Sequence, residues 1–171
     1  MKKWMQLLLL VTSVSSAGVL LASGGADEGG GRQLPAVQNA KWKAECASCH
    51  MLYHPGLLPE RSWKKMMAGL DQHFGENAAL DPLTRSEIEQ FLASNSADRS
   101  NSSRSSRIAR SIPATDAPQR ISETSYFRAK HDEISPETFR RKSIGSAANC
   151  MACHRGAEQG NFSESQVKIP R

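Results

Sequence analysis

Cys46-Ala47-Ser48-Cys49-His50 and Cys150-Met151-Ala152-Cys153-His154 are two copies of one pattern, Cys-x-x-Cys-His, and together they hold all four cysteines of the chain. The spacing has a geometric meaning. Two cysteines separated by two residues can add as thioethers to the two vinyl groups along one edge of a porphyrin. The histidine that follows is then carried beneath the ring, where its imidazole binds iron. Two such motifs imply two covalently attached c-type haems, with Cys46, Cys49, Cys150 and Cys153 as the thioether positions and His50 and His154 as proximal ligands. A four-cysteine zinc site and a pair of redox dithiols compete with this reading. Neither requires a histidine directly after each second cysteine, and here it occurs twice.

An iron in a porphyrin has a second axial position, and few residues can fill it. The chain has five histidines: His50, His54, His73, His131 and His154. Residues 155–171 contain neither His nor Met, so the second haem must find its sixth ligand upstream of its own motif, where His131 is the one histidine of that block. For the first haem, His73 flanks an apolar helical stripe, with Met66 and Met67 as competitors that read better as core packing. Apart from iron, His73 reads as a surface histidine near a helix end and His131 as a solvated loop histidine. His54 follows His50 by four residues, on the proximal side of its own haem, and could reach the other haem only in a compact packing. Which distal histidine serves which haem stays open at this point.

Trp63, Met66, Met67, Leu70 and Phe74 recur at helical spacing, which predicts a helix over 61–74 with a stop at Gly75. Thr84 and Glu87 read as a capping box before Ile88, Phe91 and Leu92, and Ser135-Pro136-Glu137 as the start of a helix running to about Ile144. Eight of the eighteen residues over 94–111 are serine and four are arginine, the composition of a linker or long surface crossing. No strand signal of any length appears. The expected fold is therefore mostly α: a small, irregular, two-part helical cytochrome c fold around two haems. Its expected parts are a leader (1–26), a flexible mature N-terminus (27–38), a first haem domain (39–94), a Ser/Arg-rich linker (95–111) and a second haem domain (112–171).

The leader has Lys2 and Lys3, an apolar stretch diluted by serines, and small residues over 22–26 that suit a signal peptidase; an uncleaved membrane anchor is the alternative. Export to the periplasm follows if it is cleaved. The 22 basic and 17 acidic residues give +5, and loss of the two leader lysines leaves +3. Four propionates and two ferric centres bring the sum near +1, so the pI of 9.2 is no argument for nucleic acid. Aromatics are 6% of the chain, thin for a core unless a large apolar cofactor fills it. Arg99, Arg104, Arg107 and Arg110, or Arg140, Arg141 and Lys142, could steer an acidic redox partner or pair with haem propionates.

The stretches ECASCHMLYHPGLLPERSWKKMMAGLDQHFG (45–75), ISETSYFRAKHDEISPETF (121–139), SAANCMACHRGAEQGNF (146–162) and VKIPR (167–171) resemble the bacterial dihaem cytochrome c family. The resemblance runs through most of the chain from about Lys41. It implies a periplasmic bis-histidine electron carrier in two haem domains; with both irons six-coordinate, the expected protein is a carrier with no enzymatic substrate of its own. Partners so implied are a membrane b-type cytochrome and, for some members, a monohaem oxygen-binding cytochrome c, with membrane contact only through partners. It also implies His50 and His154 as proximal ligands and His73 and His131 as distal ones. Histidine is not required at the position of His54. An enzyme or sensor in which one distal ligand leaves is the rival function. Bis-histidine ligation further predicts potentials below those of His/Met cytochromes.

Overall fold

The computed structural model describes residues 33–171. The leader read at 1–26 lies outside the described residues, as do 27–32 of the glycine-rich segment. The described chain is helical and irregular, as its sequence predicts, and its only β pairing is two isolated bridges, Gln33 with Asn161 and His73 with Glu76. None of its helices is long and apolar enough to cross a membrane.

Helix α1 (Ala40–Cys46) starts on the Asn39 side chain, which accepts from Trp42 N at 2.8 Å, and ends on the first motif cysteine. Helices α2 (Glu60–Ala68) and α3 (Pro82–Ser94) pack on one another. Between α1, α2 and α3 lies a core of Trp42, Leu58, Trp63, Met67, Ile88 and Leu92. Trp63 buries its ring there and donates its indole N–H to Pro55 O at 2.7 Å, so the polar edge is satisfied inside the core.

Two helix boundaries differ from the sequence reading. The helix expected over 61–74 ends at Ala68, because Gly69 closes it with an N–H bond to Met66 O at 3.1 Å. A single turn follows at Leu70–Gln72, then His73, then Phe74 at φ 52° and Gly75 at φ 103°. His73 therefore stands on a tight left-handed turn and not on a helix face. At α3 the cap is Asp81, whose carboxylate accepts from Leu83 N and Thr84 N, both at 3.1 Å, with Pro82 at the first position. Glu87 does not close a capping box; it reaches across to Lys41 on α1.

The serine- and arginine-rich stretch is not a bare crossing: it carries helix α4 (Ser103–Arg110), capped by Ser102. Its small residues have a packing reason. A Cβ on Gly56 would lie 2.6 Å from Ser105 Oγ, so α4 crosses the 55–57 turn at a separation that only such residues allow. Ile108 drops from α4 into a second core with Leu34, Leu57, Ala97 and Ile112, and Ile121 packs against both cores. Arg61 adds a polar tie by donating to the carbonyls of Ile112, Pro113 and Asp116.

Helix α5 (Ser125–Lys130) is capped by Thr124, and α6 (Pro136–Phe139) by Ser135 with Pro136 at its first position. The start of α6 is where the sequence puts it, but the helix ends at Phe139. The chain then turns so that Ile144 can be buried, and Gly145 takes φ 87° while its N–H bonds to Arg141 O at 2.8 Å.

The segment 33–38 is pinned at several points. Leu34 is 2% exposed and donates its N–H to Gly160 O at 2.9 Å, and Pro35 O accepts from His54. Gly160 needs to be glycine twice over: its φ is +72°, and a Cβ there would lie 2.9 Å from Leu34 Cβ. Gly160→Ala should cost about 1–2 kcal/mol through left-handed strain and displacement of the strap. A thermal melt of the holoprotein, compared with Gly75→Ala where nothing lies within 4 Å, separates the packing part from the strain.

Candidate functional site

Each motif is presented by a helix end or a single turn. Cys46 closes α1, and Cys150–Ala152 form one 3₁₀ turn leading into Cys153 and His154. Across from each motif histidine stands a second one. The ring centres of His50 and His73 are 6.1 Å apart, and those of His131 and His154 are also 6.1 Å apart. With metal–nitrogen bonds of about 2.0 Å and roughly 1.1 Å from nitrogen to ring centre, two imidazoles on opposite sides of one metal have centres about 6 Å apart. Both pairs have that spacing.

Hydrogen bonds fix which nitrogen can act. His50 Nδ1 lies 2.7 Å from Met51 O, and His131 Nδ1 lies 2.8 Å from Phe127 O. A carbonyl can only accept, so each Nδ1 carries the proton and Nε2 keeps its lone pair. His131 is oriented further by Phe127, stacked at 4.0 Å and 17°. Burial holds His73 and His154 below the ordinary histidine value. For His73 the nearby His50 and Arg120 add to this, and for His154 the nearby His131 and Arg104 do. The lowering favours the neutral form, which can donate an electron pair.

His54 belongs to neither pair. It is 5% exposed, its Nε2 donates to Pro35 O at 2.6 Å, and its Nδ1 accepts from Gly56 N at 2.9 Å. Both nitrogens are engaged with backbone. Met67 is 3% exposed in the first core and Met66 packs against that core, so neither thioether is presented to the His50–His73 pair.

The two sites differ in enclosure. The second motif opens on a cavity of about 560 Å³ lined by Cys150, Cys153, His131 and His154 and walled by apolar groups including Phe139 and Phe162. Into it faces Arg104 from α4, whose buried Nε has no hydrogen-bond partner. The first motif lies nearer the surface, with Cys49 and His50 exposed and Phe74 47% exposed beneath the Arg120 guanidinium at 4.1 Å. Tyr53 joins the two. Its ring lies 5.0 Å from that of His50, and its hydroxyl donates to Ala148 O at 2.9 Å, the carbonyl that also accepts from Cys150 N at 2.9 Å.

Among the described residues no three or more His, Cys, Asp or Glu side chains gather closely enough to hold a metal ion by themselves, which a four-cysteine zinc site would require. Burial pushes the Cys46 and Cys150 thiols up to about 11, so neither favours the thiolate that zinc binds. Paired imidazoles, uncharged sulfurs, an apolar cavity and a guanidinium with a free buried Nε fit a porphyrin that brings four nitrogens and two carboxylates of its own.

The family model for dihaem cytochrome c matches residues 42–162. The chain belongs to the dihaem cytochrome c family. Members of this family carry two covalently attached c-type haems and transfer electrons, and so does this chain. Solved dihaem cytochromes c resemble it over about three quarters of its length. One from Rhodobacter sphaeroides is 45% identical with a TM-score of 0.65, covering 74% of this chain and 98% of its own. A second structure, of the protein purified from Rhodobacter sphaeroides, is 41% identical with a TM-score of 0.60, covering 75% and 100%. One from Shewanella baltica is 38% identical with a TM-score of 0.64, covering 79% and 95%. A comparison with curated proteins finds no match.

One feature of the site has no counterpart in the motifs. Tyr53 looks like one aromatic among several until the fold brings Ala148 to it. Phe127 and His131 do leave a trace, the i, i+4 spacing that places two rings on one helical face. The arginines split: Arg99 is bound by both Nε and Nη2 to Glu60 Oε2, at 3.0 and 2.9 Å, and Arg104 lines the cavity. Arg107 lines the same cavity as Arg104.

Proposed function

We propose that this chain is a bis-histidine electron carrier, with His50 and His73 as the axial ligands of one haem and His131 and His154 of the other. The thioethers would be made by Cys46 and Cys49 for the first haem and by Cys150 and Cys153 for the second. The observation that carries this reading is the pair of 6.1 Å histidine spacings, one within 39–94 and one within 112–171. Each haem supplies a one-electron ferric/ferrous couple. The protein's part is to hold both axial positions, so that no small molecule reaches iron, and to keep the geometry fixed in both oxidation states. Electron transfer without bond-making suits a carrier better than an enzyme or sensor, which needs an open coordination position. The reading extends to a periplasmic location and to a membrane b-type cytochrome and a monohaem cytochrome c as donor and acceptor, as the leader-like segment and the family resemblance suggest.

The test is an absorption spectrum of the dithionite-reduced protein with and without carbon monoxide, paired with a redox titration. Two low-spin centres that ignore carbon monoxide and titrate in two waves below the His/Met range are expected. Rapid carbon monoxide binding would establish an open site and the sensor or enzyme function in its place. A weak sulfur-to-iron band at the red end would mean that methionine is a ligand.

A further inference from the structure

We propose that Arg104 is the anion anchor of the second haem site: its guanidinium pairs with a propionate carboxylate, and its charge favours the reduced state of that centre over the oxidised one. This rests on the bis-histidine reading of the His131–His154 site and adds to it the residue that biases its potential.

A guanidinium offers five N–H donors in a rigid fork, and a buried donor left unpaired is costly. Arg104 Nε is buried without a partner, and Nη1 reaches no closer than 3.5 Å to the Tyr126 hydroxyl. The guanidinium carbon lies 5.7 Å from the ring centre of Phe162, which holds the group laterally but satisfies none of its donors. Arg104 forms no ion pair among the described residues. The other charged side chains lining the cavity are Arg107, Lys130, Asp132, Glu133 and Glu164; Lys130 and Glu164 face each other at 4.0 Å, and none of the three carboxylates pairs with Arg104.

The group that best completes a buried cationic fork with a free Nε is an anion with two acceptor oxygens, one that fits beside a porphyrin in a cavity of about 560 Å³. A haem propionate has that chemistry, and bidentate pairing of arginine with carboxylate is the strong form of such a contact. The surroundings at the first site differ. There Arg120 lies over Phe74 and pairs with Glu123 at 3.5 Å, so its charge is already answered.

A fixed positive charge beside one centre stabilises the form with one more electron. Arg104→Gln keeps length and hydrogen-bonding ability but removes the charge; Arg104→Lys keeps the charge and loses the fork. In a redox titration of the holoprotein, Arg104→Gln should shift the electron affinity of one centre downward about tenfold, or about 59 mV for one electron, and leave the other wave in place. Arg104→Lys should recover most of that shift. Failure of Arg104→Gln, but not of Arg104→Lys, to acquire the second haem, counted by mass spectrometry, would support the anchor equally. Two unmoved waves in Arg104→Gln, with both haems retained, would overturn it and leave Arg104 as packing. Failure of the ligand assignment itself would show separately, as a high-spin or carbon monoxide-binding signal in the unmutated protein.

Discussion

His131→Ala should convert one of the two centres to a high-spin or water-ligated state and leave the other low-spin, and His73→Ala should do the same to the opposite centre. Each variant should then bind carbon monoxide at one ferrous haem per chain, where the unmutated protein binds none. The expected size of the effect comes from the shortage of substitutes. Beyond the second motif there is no His or Met to move in. Met151 lies inside its own attachment loop, and Met67 is locked in the first core. His131 is also the more constrained of the two, held by its bond to Phe127 O and by the ring stacked on it, so nothing nearby inherits its position. Electron paramagnetic resonance of the ferric variants, read beside the absorption spectra, checks the spin state of each centre. If either variant kept two low-spin centres, the pairing of His50 with His73 and His131 with His154 would be wrong.

His54→Ala should give the opposite result: two untouched low-spin spectra and a large loss of stability. The substitution strands Gly56 N–H and Pro35 C=O and opens a void where a buried ring had been. The unsatisfied buried N–H of Gly56 and the void left by the ring together cost roughly 3 kcal/mol. For a chain of this size that corresponds to a fall in Tm of roughly 10 °C. The same histidine carries a pH signature. Burial holds its folded value below the ordinary one, only partly offset by the bond to Pro35. The unfolded chain therefore takes up a proton on His54 that the folded chain resists. Stability owed to the neutral ring is complete above the unfolded value of about 6.5 and drains away as pH falls from there toward the lowered folded value. Tm measured across that window should slope less steeply in His54→Ala than in the unmutated protein. The haem-ligating histidines contribute alike to both and cancel in the comparison. An altered haem spectrum in this variant would mean that His54 is a ligand after all.

The chemistry of the chain was legible in its sequence because it sits in contiguous pattern: five residues fix an attachment site, and a count of histidines leaves few candidates for the rest. What could not be read is what depends on residues meeting across the fold. His73 lies near a helical stripe in sequence, but Gly69 ends that helix early and Gly75 turns the chain, so the histidine stands on a turn facing His50. The serine-rich stretch looked like a connector because serine and arginine are common in connectors. Its real signal was Ile108 and Ile112 four residues apart, with Ser105 one turn before, small where Gly56 approaches. Thr84 lost the capping role to Asp81 because a carboxylate just before Pro82 reaches two free N–H groups at once. Arg104 is marked in the sequence only as one of four arginines in its stretch, and Tyr53 carries no local mark at all.

The strap at 33–38 bears on the order in which the molecule can be assembled. The usual sequence of events during synthesis lets the earliest residues settle first. Here Leu34 seats against Gly160 and Gln33 bonds to Gln159 O, a separation of 126 residues. The first of the described residues to be made are thus among the last that can be placed, and closing so long a loop precedes any return from the contacts it makes. Until then His54 lacks its Pro35 acceptor and the second core lacks Leu34. The strap at 33–38 can seat only once Gly160 exists, so both attachment motifs have left the synthesis machinery before the fold that surrounds them can close.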